Sequence, residues 1–212
     1  MNLRELNLKK TEEDLKKSVT KDIFIIQTIH TIDLLIIEIN KLISNLRERY
    51  GYHNPLASRM QDQEELIKEV KKFSKGTLGV DYSIEDKNSI IDLIKIIEEI
   101  ILLKKVQETY LEKLMKQECP NLLFSAGALI GARLVSTAGS MKNLAEMPSS
   151  RIQILGAEKS LFKHLKTGNY PPKFGFIFSH ESISKSDNKG QAARKLAAKI
   201  SIEAKKDYFG KK

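Results

Sequence analysis

Between Pro148 and Gly175 the chain carries the residues best suited to holding a phosphate. A short apolar run, Ile152 to Leu155, meets a small-residue turn at Gly156-Ala157, and a helix bearing Lys159, Lys163, His164 and Lys166 follows. Backbone N–H groups at a helix start have no partner inside the helix and attract anions, and Lys159 adds a full charge beside them. Gly168 predicts the helix stop, and Pro171-Pro172 forces an extended exit. By residue type alone, the same stretch also fits an ordinary amphipathic surface helix.

Other chemistries find no support in the residues. The four histidines, His30, His53, His164 and His180, have neither paired spacing nor a neighbouring cysteine, so no metal site is predicted. His30 reads as a packing residue on a helix, and His164, on the basic helix, as the better candidate for a binding role. The string Gly127 to Arg133 lacks the Gly-Lys-Ser/Thr ending of a phosphate loop, and no strand precedes it. Glu12-Glu13, Glu64-Glu65 and Glu98-Glu99 read as helix-surface charges, and no Ser or Cys nucleophile motif occurs. The expectation is a noncatalytic protein that binds no cofactor.

Charge is segregated along the 212 residues. Residues 1–118 carry 20 Lys and Arg against 21 Asp and Glu, whereas residues 119–212 carry 16 against 6. A neutral part followed by a basic part points to nucleic acid on the basic side. Cys119 is the single cysteine, so no internal disulfide is possible, and an intracellular setting is expected. The first residues lack the apolar core of a signal peptide. Gln27, His30, Asp33 and Glu38 interrupt the apolar stretch from Ile23 to Ile39, which reads as a buried helix rather than a membrane span.

The elements that must position the basic part are helical throughout. Residues 1–19 read as a linker helix, with Thr11 and Asp14 at capping-box spacing. From Thr20 to Arg49, Ile25, Ile29, Ile32, Ile36, Ile39, Ile43 and Leu46 alternate steps of four and three, which is a heptad seam on a rod of about 45 Å. Gly51 and Pro55 end that helix, and Arg59 to Phe73 predicts a shorter one. Ser83 and Asp86 predict a capping box for a second long helix from Ile84 to Glu118, with a seam through Leu93, Ile96, Ile100, Leu103, Gln107, Tyr110 and Leu114. Two long helices around a compact tip imply an antiparallel coiled-coil hairpin over 20–118. Extra apolar residues widen its stripe beyond what one partner helix covers, which predicts self-association.

Pro120 opens the globular part, 119–212. Small residues at Gly127, Ala128, Gly131 and Ala132 suit close helix packing. Phe174, Phe176 and Phe178 alternate as in a short strand or extended segment, with core packing or base stacking as their alternative uses. Ser179 to Asn188 reads as a polar loop. Lys189 to Lys206 reads as a basic helix with Ala193, Leu196, Ala197, Ile200 and Ala204 inward and Lys195, Lys199 and Lys206 outward.

Ordered short matches then identify a family. Gly131-Ala132-Arg133-Leu134, Ala138-Gly139-Ser140, Asn143-Leu144-Ala145, Pro148-Ser149-Ser150, Ile154 to Lys159 and Pro171-Pro172-Lys173 stand in the order and spacing of the Nop domain. Upstream, Ile25-Ile26-Gln27 and Arg47 to His53 fit the same pattern, as do Asn188-Lys189-Gly190 and Asp207-Tyr208-Phe209 downstream. Over roughly residues 20 to 210 the chain resembles the core scaffold proteins of box C/D small ribonucleoproteins, and without a lysine-rich tail it looks most like an archaeal, cytoplasmic member.

The resemblance implies a mainly α fold in which the hairpin precedes a compact helical Nop domain. It implies recognition of kink-turn guide RNA already occupied by a kink-turn-binding protein of the ribosomal-protein type, in 2'-O-methylation and rRNA processing. Gly156, Ala157, Lys159, Lys163 and His164 at the helix start and first turns are the expected RNA-binding residues, completed by Lys173, Asn188 and Lys189. Fibrillarin would join only through an N-terminal domain that the resembling proteins carry and residues 1–19 do not supply. A homodimer through the coiled coil is expected, with no membrane association. Glu146 stands where the family favours a basic residue, and Arg151 where it favours a small or polar one. A spliceosomal-type Nop protein and a protein–protein adaptor remain the alternatives.

Overall fold

The computed structural model describes residues 2–210. Helix ends follow local chemistry. Helix α1 (Leu3–Ser18) begins where Asn2 accepts from the Arg4 amide and donates its own amide to the Glu5 carboxylate at 3.3 Å. The cap expected at Thr11 is therefore displaced: Thr11 lies inside α1 and its hydroxyl donates to the Asn7 carbonyl at 2.7 Å. Helix α2 is Lys21–Gly51, α3 is Gln63–Lys72 and α4 is Ile84–Glu118. The Ser83–Asp86 capping box is present: the Asp86 amide donates to the Ser83 hydroxyl at 3.1 Å, and the Ser83 amide to the Asp86 carboxylate at 3.3 Å.

The chain divides into two compact units, residues 31–107 and residues 1–30 with 108–212. In the first, α2 and α4 run antiparallel around Ile39, Ile43, Leu46, Tyr50, Ile90, Ile94 and Ile97. Helix α3 closes the tip with Leu66, Ile67 and Val70. Asp62 caps it, and Phe73 ends it in the left-handed region at φ 53°. The Arg49 guanidinium donates to the Ser89 hydroxyl at 3.0 Å, and the Tyr50 hydroxyl to the Ser74 carbonyl at 2.9 Å. The α2 seam lies as its spacing predicts. The α4 seam does so only in part: Leu93 and Ile100 pack partly buried against this core, but Ile90, Ile94, Ile97, Leu111 and Met115 are the buried row, while Ile96, Leu103 and Tyr110 are exposed. Both rows of α4 are apolar, so periodicity cannot choose between them; packing does.

The second unit is built round its last helix. Helix α5 (Pro120–Ala126) starts with Pro at its first position, and Gly127 at φ 77° turns the chain through about 115° into α6 (Ala128–Ala138). Next come α7 (Met141–Glu146), α8 (Ser149–Ile154), α9 (Glu158–Thr167), a 3-10 turn at Phe176–Ser179 and α10 (Glu181–Ser184). Helix α11 (Lys189–Phe209) packs against α5, α7 and α8, burying Ala193, Leu196, Ala197, Ile200 and Ala204. Asp207, buried near its end, accepts from the amides of Asn121 (3.1 Å) and Leu122 (2.8 Å) and from the Asn121 side chain (2.8 Å). A Cβ on Gly131 would lie 2.7 Å from the Met115 methyl, so the small residue serves close packing as expected.

Two local expectations fail. Part of the polar loop after Ser179 is helical, as α10. The Phe174–Phe178 stretch is no strand, and none occurs among the described residues. Its backbone pairs with residues 153–155 through two bonds only, Gly175 amide to Gln153 carbonyl (2.9 Å) and Phe176 amide to Leu155 carbonyl (2.8 Å), before coiling into the 3-10 turn. Among the described residues no single helix is long and apolar enough to cross a membrane.

Candidate nucleic-acid interface

The turn between α8 and α9 is set by Gly156. It stands at φ 90°, and a Cβ there would lie 2.6 Å from the Phe176 ring, so the position excludes side chains on two counts. Its amide donates to the Glu158 carboxylate at 2.7 Å, and the Ala157 amide to the Ile154 carbonyl at 3.0 Å. Gly156 and Ala157 therefore shape the helix start while their own N–H groups are engaged. The N–H groups that helix geometry leaves without an intrahelical partner are those of Glu158, Lys159 and Ser160.

No residue of α9 is buried. Lys159, Lys163 and Lys166 recur at spacings of four and three, which places them along one face. None of the three pairs with a carboxylate among the described residues. Phe162 and Leu165, 61% and 69% exposed, lie between them in sequence. His164 is not in the first turns: it sits in the last turn, half-buried, its Nδ1 hydrogen-bonded with the Asn169 carbonyl. The ring thus helps close the helix end, where Gly168 at φ 69° returns its amide to the His164 carbonyl at 2.8 Å.

Lys173 and Asn188 are brought together on an open groove of about 1050 Å³. The Gln153 side chain donates to the Lys173 carbonyl at 2.7 Å, fixing the segment after Pro171-Pro172 beside α8. Asn188 caps α11, its side-chain Oδ1 accepting from the Gln191 amide at 3.1 Å. Lys189 turns elsewhere, with its ammonium 5.6 Å from the centroid of the Phe178 ring. That ring stacks on Phe174, centroids 4.7 Å apart and planes 9° from parallel. The groove also contains Gln153, Tyr170 and Arg194, which sequence reasoning missed. Arg194 was legible in principle, standing three residues from Gln191 on the solvent side of α11. Tyr170 and Gln153 offered no signal in sequence. No group of three or more potential metal ligands occurs among the described residues.

The arrangement offers an unpaired cationic helix face, a polar groove and exposed rings, a combination suited to phosphates and unstacked bases. A family profile described as "Nop: snoRNA binding domain, fibrillarin" matches residues 13–212. An uncharacterized NOP5 family protein of Methanocaldococcus jannaschii is 34% identical over 219 residues, covering 90% of this chain and 53% of the relative. Nucleolar protein 58 of Candida albicans is 35% identical over 225 residues, 92% of this chain and 44% of its own length. Nucleolar protein 56 of Mus musculus is 34% identical over 221 residues, 89% of this chain and 38% of its own length. The chain spans about half the length, or less, of these relatives. A solved structure, the crystal structure of a fibrillarin/NOP5P complex, is similar with a TM-score of 0.58 and 27% identity over 98% of this chain and 69% of that one. With a family match that runs almost end to end and these relatives beside it, the chain belongs to the Nop family.

Proposed function

We propose that this chain is a noncatalytic scaffold of a box C/D guide ribonucleoprotein that binds kink-turn RNA together with a kink-turn-binding protein. The observation that carries the reading is α9, a helix with no buried residue that presents unpaired lysines together with the exposed Phe162 and Leu165. A helix of ten residues gains little from its own hydrogen bonds, so an uncovered apolar side is costly unless a partner closes over it. Cations for phosphates beside apolar side chains for protein suit a composite surface of RNA and bound protein. The fibrillarin named in the matching family and in the similar complex supports membership of a methylation-guide particle.

The same reading takes residues 31–107 as a self-association unit. Leu102 and Val106, 63% and 54% exposed, and Leu34 and Ile37 leave an apolar stripe on helices whose opposite side is already buried. The test is a gel-shift titration of kink-turn RNA with this protein, with and without the kink-turn-binding protein. Binding that tightens sharply when that protein is present is expected. Equal binding to a duplex lacking the kink turn would overturn the guide-RNA reading in favour of a general basic adaptor.

A further inference from the structure

We infer that Phe124, with Lys195 and Lys199, forms a second single-strand contact in which one unpaired base of the bound RNA stacks on the Phe124 ring. The inference rests on the RNA-scaffold reading and adds a site to it, on a different face of α11 from the Asn188–Arg194 groove. Phe124 lies on α5 and is 84% exposed, although its neighbours Leu122, Ser125 and Ala126 are buried. A large ring held outward on a helix whose other side is packed cannot retreat into the core. The Lys199 ammonium lies 5.1 Å from the ring centroid, which leaves the rest of this exposed ring open to solvent. Lys195, one turn before Lys199, lines the same depression of about 430 Å³, together with His180 and Ser182.

The composition of this depression selects its occupant. It contains two lysines, a histidine and a ring, and no carboxylate lines it. An acidic peptide would satisfy the lysines but leave the ring face bare. A nucleotide satisfies both, because its phosphate pairs with ammonium groups while its base covers the ring, and every base has a flat face to offer. The lysines are kept on one side by helical spacing: residues 195 and 199 are four apart, and Arg194 is turned toward the other groove. A strand leaving that groove meets the Phe124 site by passing over α11. Base identity is left unread, since the depression offers stacking and charge rather than a matched set of donors and acceptors.

The chain contains no Trp, so Phe124→Trp introduces a single reporter that preserves stacking. The probes are a 12-nucleotide oligouridylate, an abasic strand of the same length, and an oligo-aspartate peptide of equal charge. Quenching of the new Trp by oligouridylate, with little by the abasic strand or the peptide, is expected. Phe124→Ala should weaken oligouridylate binding roughly tenfold, with an unchanged circular dichroism spectrum because the ring is exposed. Equal quenching by all three probes would overturn base stacking. Phe124→Ala binding as wild type, while Lys173→Ala with Arg194→Ala loses affinity, would overturn this site and leave the RNA reading standing. A wild-type chain that binds neither oligouridylate nor kink-turn RNA would overturn both.

Discussion

A Cβ on Gly175 would lie 1.8 Å from the carbonyl oxygen of Leu155. The two backbones touch because the segment holding Lys173 is drawn against the end of α8, and no side chain fits between them. Gly175→Ala must therefore push the segment away. A loss of about 1–3 kcal/mol in unfolding free energy is expected, together with weaker RNA binding, since Lys173 and the Gln153 bond move with it. Denaturant titration alongside a gel shift checks this, and unchanged RNA affinity would remove Lys173 from the interface.

Lys159→Ala and Lys163→Ala should each cost about 1–2 kcal/mol in binding to the kink-turn complex, as expected for charged contacts to phosphate. Each should also lower the slope of log affinity against log salt by about 1. Filter binding from 50 to about 300 mM salt measures both quantities. If neither variant changes affinity, α9 does not face the RNA. His164→Ala should instead loosen the helix end, with a smaller effect on the salt slope.

Asp207 satisfies three N–H groups at the start of α5. Asp207→Ala leaves the buried Leu122 amide without its acceptor and removes both bonds to Asn121, and a loss of about 2–3 kcal/mol is expected in chemical denaturation. Asp207→Asn keeps one acceptor oxygen and should lose less. Equal stability of both variants with wild type would mean that α5 is held by its apolar residues alone.

Burial pushes the Tyr50 phenol above its ordinary value near 10. A folded pKa above the unfolded one means that the phenol's contribution is fully present below pH 10. It is lost as pH climbs through the raised folded value. Tyr50→Phe removes the 2.9 Å bond and should be about 1 kcal/mol less stable at pH 7. That deficit should shrink above pH 10, where only the wild type pays for ionisation. Thermal unfolding of both proteins from pH 8 to about 11 tests the sign.

For self-association, the exposed and buried rows of α4 predict opposite outcomes. Leu102→Glu with Val106→Glu should give a smaller species by light scattering with the helical signal intact. Ile97→Glu should instead unfold the tip unit, because Ile97 is fully buried within the chain. A wild-type protein that is monomeric at tens of micromolar would remove the proposed interface.

The long helices were legible because their apolar spacing and caps are local properties. Ser83 and Asp86 announced α4 to the residue, and the inward set of α11 was read from Ala193 to Ala204. The α4 seam was legible only in part, at Leu93 and Ile100, since Ile96 and Ile97 stand on two neighbouring apolar rows and only packing against α2 and α3 selects one. In the candidate site, the Gly156 turn and the lysines of α9 could be read along the chain. The groove could not, because Gln153, Lys173 and Arg194 meet only when Gly175 pairs with α8 and α11 closes beneath. His164 was misplaced for a smaller reason: its carbonyl and ring serve the helix stop at Gly168, a role that charge and proximity to Lys163 conceal.

The dependence of α5, α7 and α8 on α11 has a consequence for the order in which the protein matures. A ribosome releases the chain from its start, so helices α5, α7 and α8 emerge before the element that buries them. The amides of Asn121 and Leu122 wait for Asp207, and the groove has no far wall until Asn188 and Arg194 arrive. A nascent chain lacking α11 thus exposes its lysines without their geometry and should hold RNA by charge alone. Shape-selective binding is expected only once α11 has emerged and packed.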